Sequence, residues 1–324
     1  MTKRIEWIDA LKGFAILTVV IGHCTTDSMA SHTYADYAVW IQMIYDFVYS
    51  FHMPLFFMVS GYVFYLTKSY RKWKEKVRDF TIVYVIWCTL MWLSKYLMSG
   101  DVNHPVTIID LLTIVYKPIM VYWYLYVLIL FYAIFSCFKW EKLSWGFLAT
   151  LAGVATITKM AHLDIGIVNA ALYHMFYFAA GGVILQKEIL QKIKISHLCL
   201  LGVLILANGL LYLQDISWPP AVLVCKNFIF ANIVSLFAFS IFSKTKSIKA
   251  LVTMGFYTMP IYVIHCFFTG GLRILIGRLH VSNIYLYFFA ATLLGILIPI
   301  LCGKMAKRIL WMNILFEPGK VIRH

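Results

Sequence analysis

The sequence predicts an all-α, polytopic membrane protein of about ten transmembrane helices, with both termini in the cytoplasm. Three observations predict it. Of 324 residues, 62% are hydrophobic and only 13% charged, against about 45–50% and about 25% in a soluble domain. The mean hydropathy is +0.82, which leaves too little polar surface for water to cover. The apolar residues also gather in runs of the length that crosses a hydrocarbon core, about 20 residues, with basic residues collected in alternate loops. Soluble enzymes, secreted disulfide scaffolds and disordered tails are excluded together.

The runs fall in order at 6–25, 42–66, 79–98, 119–138, 143–160, 167–186, 197–213, 221–243, 250–272 and 283–303. The first follows Lys3 and Arg4 as a signal peptide would, but Asp9 and Lys12 interrupt it and no small-residue cleavage site follows, so a retained helix is expected. In the second, FHMPLFFMVSG carries His52, Pro54, Ser60 and Gly61; these interrupt the helix, Pro54 frees a carbonyl, and Gly61 permits close approach of a helix or a ligand. Between the third and fourth, PVTIIDLLTIVYK at 105–117 is too short and too polar to span, and reads as interfacial or re-entrant. His174 lies in the sixth run and His265 in the ninth; about 20 residues follow the tenth. The chain shows no repeat, no low-complexity tract and no soluble appendage, so 1–324 reads as a single transmembrane domain.

Charge orders these runs across the membrane. The total is +14, which in a soluble chain suggests nucleic acid. Here no stretch outside the spans is long enough for a DNA- or RNA-binding domain. With a cytoplasmic N-terminus and ten spans, 21 of the 28 Lys and Arg residues fall in inside segments, among them Lys3, Lys139, Lys142 and Arg323. Six fall outside, including Lys95, Arg273 and Arg278, and Lys12 lies within the first span. That asymmetry is the positive-inside rule at work.

A charge within a span costs roughly 2.5–3.5 kcal/mol on insertion scales, so each is a functional hypothesis. In WIDALKGFAILTVVIGH, Lys12 and His23 are 11 positions apart, hence about 20° apart on the helix wheel and about 16 Å along the axis. Asp9 and His23 differ by about 40°. One face therefore carries all three, from a cationic cytoplasmic entrance to a histidine deep toward the outer side. The plainer reading has Asp9 and Lys12 as a neutralising interfacial pair and His23 as a helix end. His52 and His265 add further deep imidazoles, each of which is cheap to bury neutral and able to take a proton near pH 7.

The loop TKSYRKWKEKVRD at 67–79 holds six cations. Its plain role is topogenic; its functional one would be a dock for a polyanion, with Arg71 and Arg78 as phosphate forks and Lys12 completing it. Tyr122, Trp123, Tyr124 and Tyr126 serve as an interfacial belt, or would floor a sugar-binding cavity. The seven cysteines stand singly, with no CxxC and no His/Cys metal spacing, and no metal is expected.

Three stretches taken in order resemble the acyltransferase-3 family of integral membrane O-acyltransferases, and its fucose 4-O-acetylase-like branch. WIDALKGFAILTVVIGH is similar to the family's Arg/Lys-x10-His signature through Lys12 and His23. FHMPLFFMVSGYVF precedes the basic loop, where Arg71-x-x-Lys74 departs from the family's Arg-x-x-Arg-like element. MGFYTMPIYVIH is similar to its late Gly…Tyr…His helix. With the ten spans and the WYLY segment, the resemblance covers essentially the whole chain.

The resemblance implies a multi-pass protein of the plasma membrane (the inner membrane of a bacterium). It implies acetyl-CoA or another acyl-CoA as cytoplasmic donor, and a hydroxyl of a cell-surface or extracytoplasmic glycan as acceptor. It makes His23 the general base with Asp9 paired to Lys12. Lys12, Arg71, Lys74 and Arg78 become the donor-phosphate residues; His52, Ser60, Trp123, Tyr124, His265 and Arg273 become the substrate-binding set. The rival expectation is a transporter or exporter of an acylated glycan or anion, with the same histidines as a proton relay. Such a protein often carries matched broken helices in two halves, and no such match relates 1–160 to 161–324.

Overall fold

The computed structural model describes residues 4–29, 32–100, 102, 105–138, 143–161, 165–212, 218–279 and 283–322. Lys3, Lys139, Lys142 and Arg323, from the orientation count, lie outside the described residues, as does Leu213 at the end of the seventh run. The described residues form thirteen α-helices and no β-strand. In chain order these are α1 (Glu6–Met29), α2 (Ala38–Leu66), α3 (Trp73–Leu97), α4 (Ile108–Leu112), α5 (Trp123–Ser136), α6 (Trp145–Met160) and α7 (Ile167–Gln186). There follow α8 (Ile189–Lys192), α9 (Ile195–Tyr212), α10 (Pro220–Lys244), α11 (Lys249–Phe256), α12 (Thr258–Arg278) and α13 (Ile284–Arg308).

Eight helical segments are long and apolar enough to cross a membrane, and they match eight of the ten runs. The other two runs, at α6 and α9, are not among these eight. α6 has 16 residues and so rises about 24 Å, against a hydrocarbon core of roughly 30 Å. The apolar part of α9, Ile195–Leu210, is also short. Even at eight, the chain is an all-α, multi-pass membrane protein. α4, five residues long, rises only about 7.5 Å and is opened by a capping box between Thr107 and Asp110.

Two compact units make up the chain. The first comprises Met1–Val19, Met43–Arg71 and Ile134–Phe256. Within it α2 and α7 cross at glycines: a Cβ on Gly61 would overlap the Phe178 carbonyl oxygen, and one on Gly181 the Met58 carbonyl oxygen. Small residues let backbones touch where apolar lipid gives helices no other reason to associate. Of the two uses Gly61 permitted, close approach of a helix is the one observed. The expected interruption of this helix is corrected: α2 runs unbroken through Pro54, because proline removes one ladder bond while the turns on either side keep theirs. Phe178 is flanked by Phe64 and Phe135, at ring distances of 5.4 and 5.0 Å.

The second unit comprises Val20–Gln42, Lys72–Ala133 and Tyr257–His324. The run 250–272 differs from expectation, since it is two helices that break at Tyr257, the first belonging to the first unit and the second to this one. Pro260 favours a break at this point. Its ring would crowd the carbonyl four residues back, at Phe256, where α11 ends, while at the third position of α12 its missing N–H is no loss. α12 packs extensively on α13. The residues after α13 fold onto α3: Trp87 Nε1 donates to the Leu315 carbonyl at 2.8 Å and its ring stacks on Phe316.

Candidate functional site

In the second unit a cavity of about 150 Å³ opens between α1, α3 and α12. Each helix faces it with residues at helical spacing: His23, Thr26 and Asp27 from α1; Met91, Ser94 and Lys95 from α3, with Met98 just past its end; Cys266, Gly270 and Arg273 from α12. Steps of three and four residues keep side chains on one face, so the polar groups come from three single-face stripes. Gly270 and Gly271 leave room where side chains would fill it.

The polar groups have defined roles. Thr26 Oγ1 donates to the His23 carbonyl at 3.0 Å and Ser94 Oγ to the Met91 carbonyl at 2.9 Å. Each hydroxyl hydrogen is thus spent on its own helix, which leaves the oxygens as acceptors. Arg273 is near enough to Asp27 for direct attraction. Lys95 is 8% exposed and is drawn toward Asp110. The site therefore offers a base, hydrogen-bond acceptors and two cations inside an otherwise apolar wall.

Behind this wall His265 is fully buried. Its Nδ1 lies 2.9 Å from the carbonyl oxygens of both Ile261 and Tyr262. Its Nε2 lies 3.3 Å from Cys266 Sγ. The His23 ring is 5.1 Å from that of His265, and the donor atoms of His23, His265 and Cys266 all lie within 4.8 Å of one another. Two imidazoles and a thiol at this distance form a set that a soft divalent cation would accept. Residue spacing gave no sign of it, since one member comes from α1 and two from α12.

The remaining expected site residues fall as follows. In the first unit, Asp9 is buried between two cations, with Oδ1 2.7 Å from Lys12 Nζ and Oδ2 2.8 Å from Arg4 Nε. Arg4 also lies 3.7 Å over the Phe256 ring. His52 is buried, with Nδ1 2.8 Å from the Val48 carbonyl and its ring against Tyr49. Ser60 donates to the Phe56 carbonyl at 2.9 Å, and Arg71 is exposed. In the second unit Lys74 is exposed and Arg78 pairs with its neighbour Asp79 at 2.7 Å. Of the aromatic cluster, Tyr122 donates to the Val263 carbonyl and Tyr126 to that of Val115, both at 2.8 Å. Tyr124 packs on Tyr262. These rings hold α5 in place, and Met120 is the residue of that region that lines the cavity, so neither Trp123 nor Tyr124 reaches it.

Sequence reasoning did not single out Asp27, Thr26, Ser94, Lys95 or Cys266. Asp27 had a signal, because it stands one turn beyond His23 on the same face. In the sequence Lys95 reads only as one of the six cations that fall outside.

A family model described as an acyltransferase domain matches residues 5–304. The nodulation protein NolL of Mesorhizobium japonicum is 26% identical over 239 residues, covering 72% of this chain and 54% of that protein. The chain thus spans about half the length of the curated relative it matches. No solved structure matches it.

Proposed function

The chain belongs to the acyltransferase-3 family, and we propose that it transfers an acyl group, most directly acetyl, from cytoplasmic acyl-CoA to a hydroxyl of a cell-surface or extracytoplasmic glycan. The proposal places it in the plasma membrane, the inner membrane of a bacterium. The observation that carries the reading is the position of His23 in a cavity with Thr26, Asp27, Ser94, Lys95 and Arg273.

Acyl transfer to an alcohol needs a base for the hydroxyl proton and positive charge for the developing oxyanion. His23 is the base. Asp27 and the oxygens of Thr26 and Ser94 accept hydrogen bonds from the acceptor's hydroxyls and orient one of them toward the imidazole. Lys95 and Arg273 supply positive charge to the oxyanion. The donor side rests on the sequence: Lys12, with Asp9 beside it, and the basic segment holding Arg71, Lys74 and Arg78 carry the phosphates of CoA. From the expected substrate set, Arg273 is retained at the acceptor.

The test is thiol release from acetyl-CoA by the purified protein against a panel of glycans. Release that depends on one glycan supports the reading. No release with any glycan, together with no acetyl-CoA binding by calorimetry on folded protein, overturns it in favour of the exporter.

A further inference from the structure

Direct transfer of an acyl group to a hydroxyl needs one base, yet two imidazoles and a thiol meet at this cavity. The geometry points to Cys266 as a covalent acyl carrier with His265 as its base, an inference that rests on the acyl-transfer reading above.

Carbonyl oxygens only accept hydrogen bonds, so the 2.9 Å contacts to Ile261 and Tyr262 put the ring hydrogen of His265 on Nδ1. Nε2 then has its lone pair free, and it lies 3.3 Å from Cys266 Sγ, where it receives the thiol hydrogen. A nucleophile, a base within reach and a third group that fixes the base form the recurring arrangement of covalent catalysis. The layering fits as well. Cys266 lines the cavity, while His265 does not and is fully buried, so Cys266 is the one of the two that an acyl group can reach. His23, 5.1 Å from His265 by ring centres, is left for the second half-reaction.

In the first step His265 Nε2 takes the Cys266 proton as sulfur attacks the acyl carbonyl of the donor thioester. The donor C–S bond breaks, and the departing CoA thiolate takes the proton from His265. In the second step His23 removes the acceptor's hydroxyl proton as that oxygen attacks the acyl-cysteine carbonyl. The bond to Cys266 breaks, and the thiolate recovers a proton from His23. One thioester and one alcohol become one thiol and one ester, with no redox change.

Full-length protein in nanodiscs, without acceptor, would be incubated with radiolabelled acetyl-CoA and, separately, with S-acetyl-N-acetylcysteamine, a thioester without the nucleotide. The expected result is one acetyl group on the Cys266 peptide, released by neutral hydroxylamine. Acetyl exchange between acetyl-CoA and free labelled CoA should also occur, and fall at least a hundredfold in Cys266→Ala. Absence of label on Cys266 with both thioesters overturns the inference, as does exchange unchanged in Cys266→Ala. So does one equivalent of zinc on the wild type that Cys266→Ala loses, which would give the trio to a metal. Labelling by the small thioester but not by acetyl-CoA upholds the carrier and overturns the CoA donor. Acetyl transfer to a glycan with release of CoA and with Cys266 unlabelled does the reverse.

Discussion

Asp9 Oδ1 lies 2.7 Å from Lys12 Nζ, while the other oxygen of the same carboxylate takes Arg4. One buried anion thus holds two cations at the start of α1 and leaves the group with a net positive charge. If Lys12 contacts a donor phosphate, Lys12→Ala removes a charge-assisted bond of about 1.5–3 kcal/mol. The KM for acetyl-CoA should rise roughly tenfold or more with kcat little changed, as steady-state kinetics would show. A fall in kcat at constant KM would remove Lys12 from the donor site.

The α2–α7 crossing predicts a stability effect. Gly181→Ala pushes a methyl group into the Met58 carbonyl and should cost about 1–3 kcal/mol as overpacking, read as a lower melting temperature in detergent. Gly209→Ala provides the comparison, because nothing lies within 4 Å of the added carbon. There the gain in helix propensity, up to about 1 kcal/mol, should hold or raise the melting temperature.

Asp27 and Arg273 attract one another at the cavity, so their effects should not add. Each single alanine variant removes that attraction from the remaining charge, a loss of about 1.5–3 kcal/mol, and should lower kcat/KM for the acceptor by roughly tenfold to a hundredfold. Asp27→Ala/Arg273→Ala together should fall short of the product of the two losses, a coupling a double-mutant cycle resolves at about 0.5–3 kcal/mol. Strict additivity would mean the two residues act separately.

Trp87 fixes the segment after α13 through its bond to the Leu315 carbonyl. Trp87→Phe keeps a ring against Phe316 and loses that bond, worth about 1 kcal/mol. Trypsin should then cut at Arg308 and Lys320 faster than in the wild type, with the rest of the bundle intact on a gel.

Much of this was legible from residue order, and the exceptions have physical causes. The first run displayed Asp9, Lys12 and His23 because charges in apolar sequence stand out. Asp27 did not stand out because the apolar run ends at Thr25, while the helix continues to Met29. The break at Tyr257 could have been read from Pro260, whose clash falls on Phe256; Pro54 carries the same local signal and breaks nothing, so proline alone did not decide it. Gly61 announced a close approach without saying to what. Lys95 looked like any loop cation until α3 carried it into the cavity wall, and Cys266 looked inert until α1 brought His23 beside its neighbour. Residue spacing reports a single helix face; sites built from three helices appear only in the fold.

The most direct measurement compares wild-type protein with His23→Ala, both shown folded by gel filtration and melting temperature, for acetyl-CoA consumption in the presence of an accepted glycan. A general base contributes about 10²–10⁴-fold, so the variant should lose at least a hundredfold in kcat while still binding acetyl-CoA. Unimpaired transfer by His23→Ala would contradict the account at its centre.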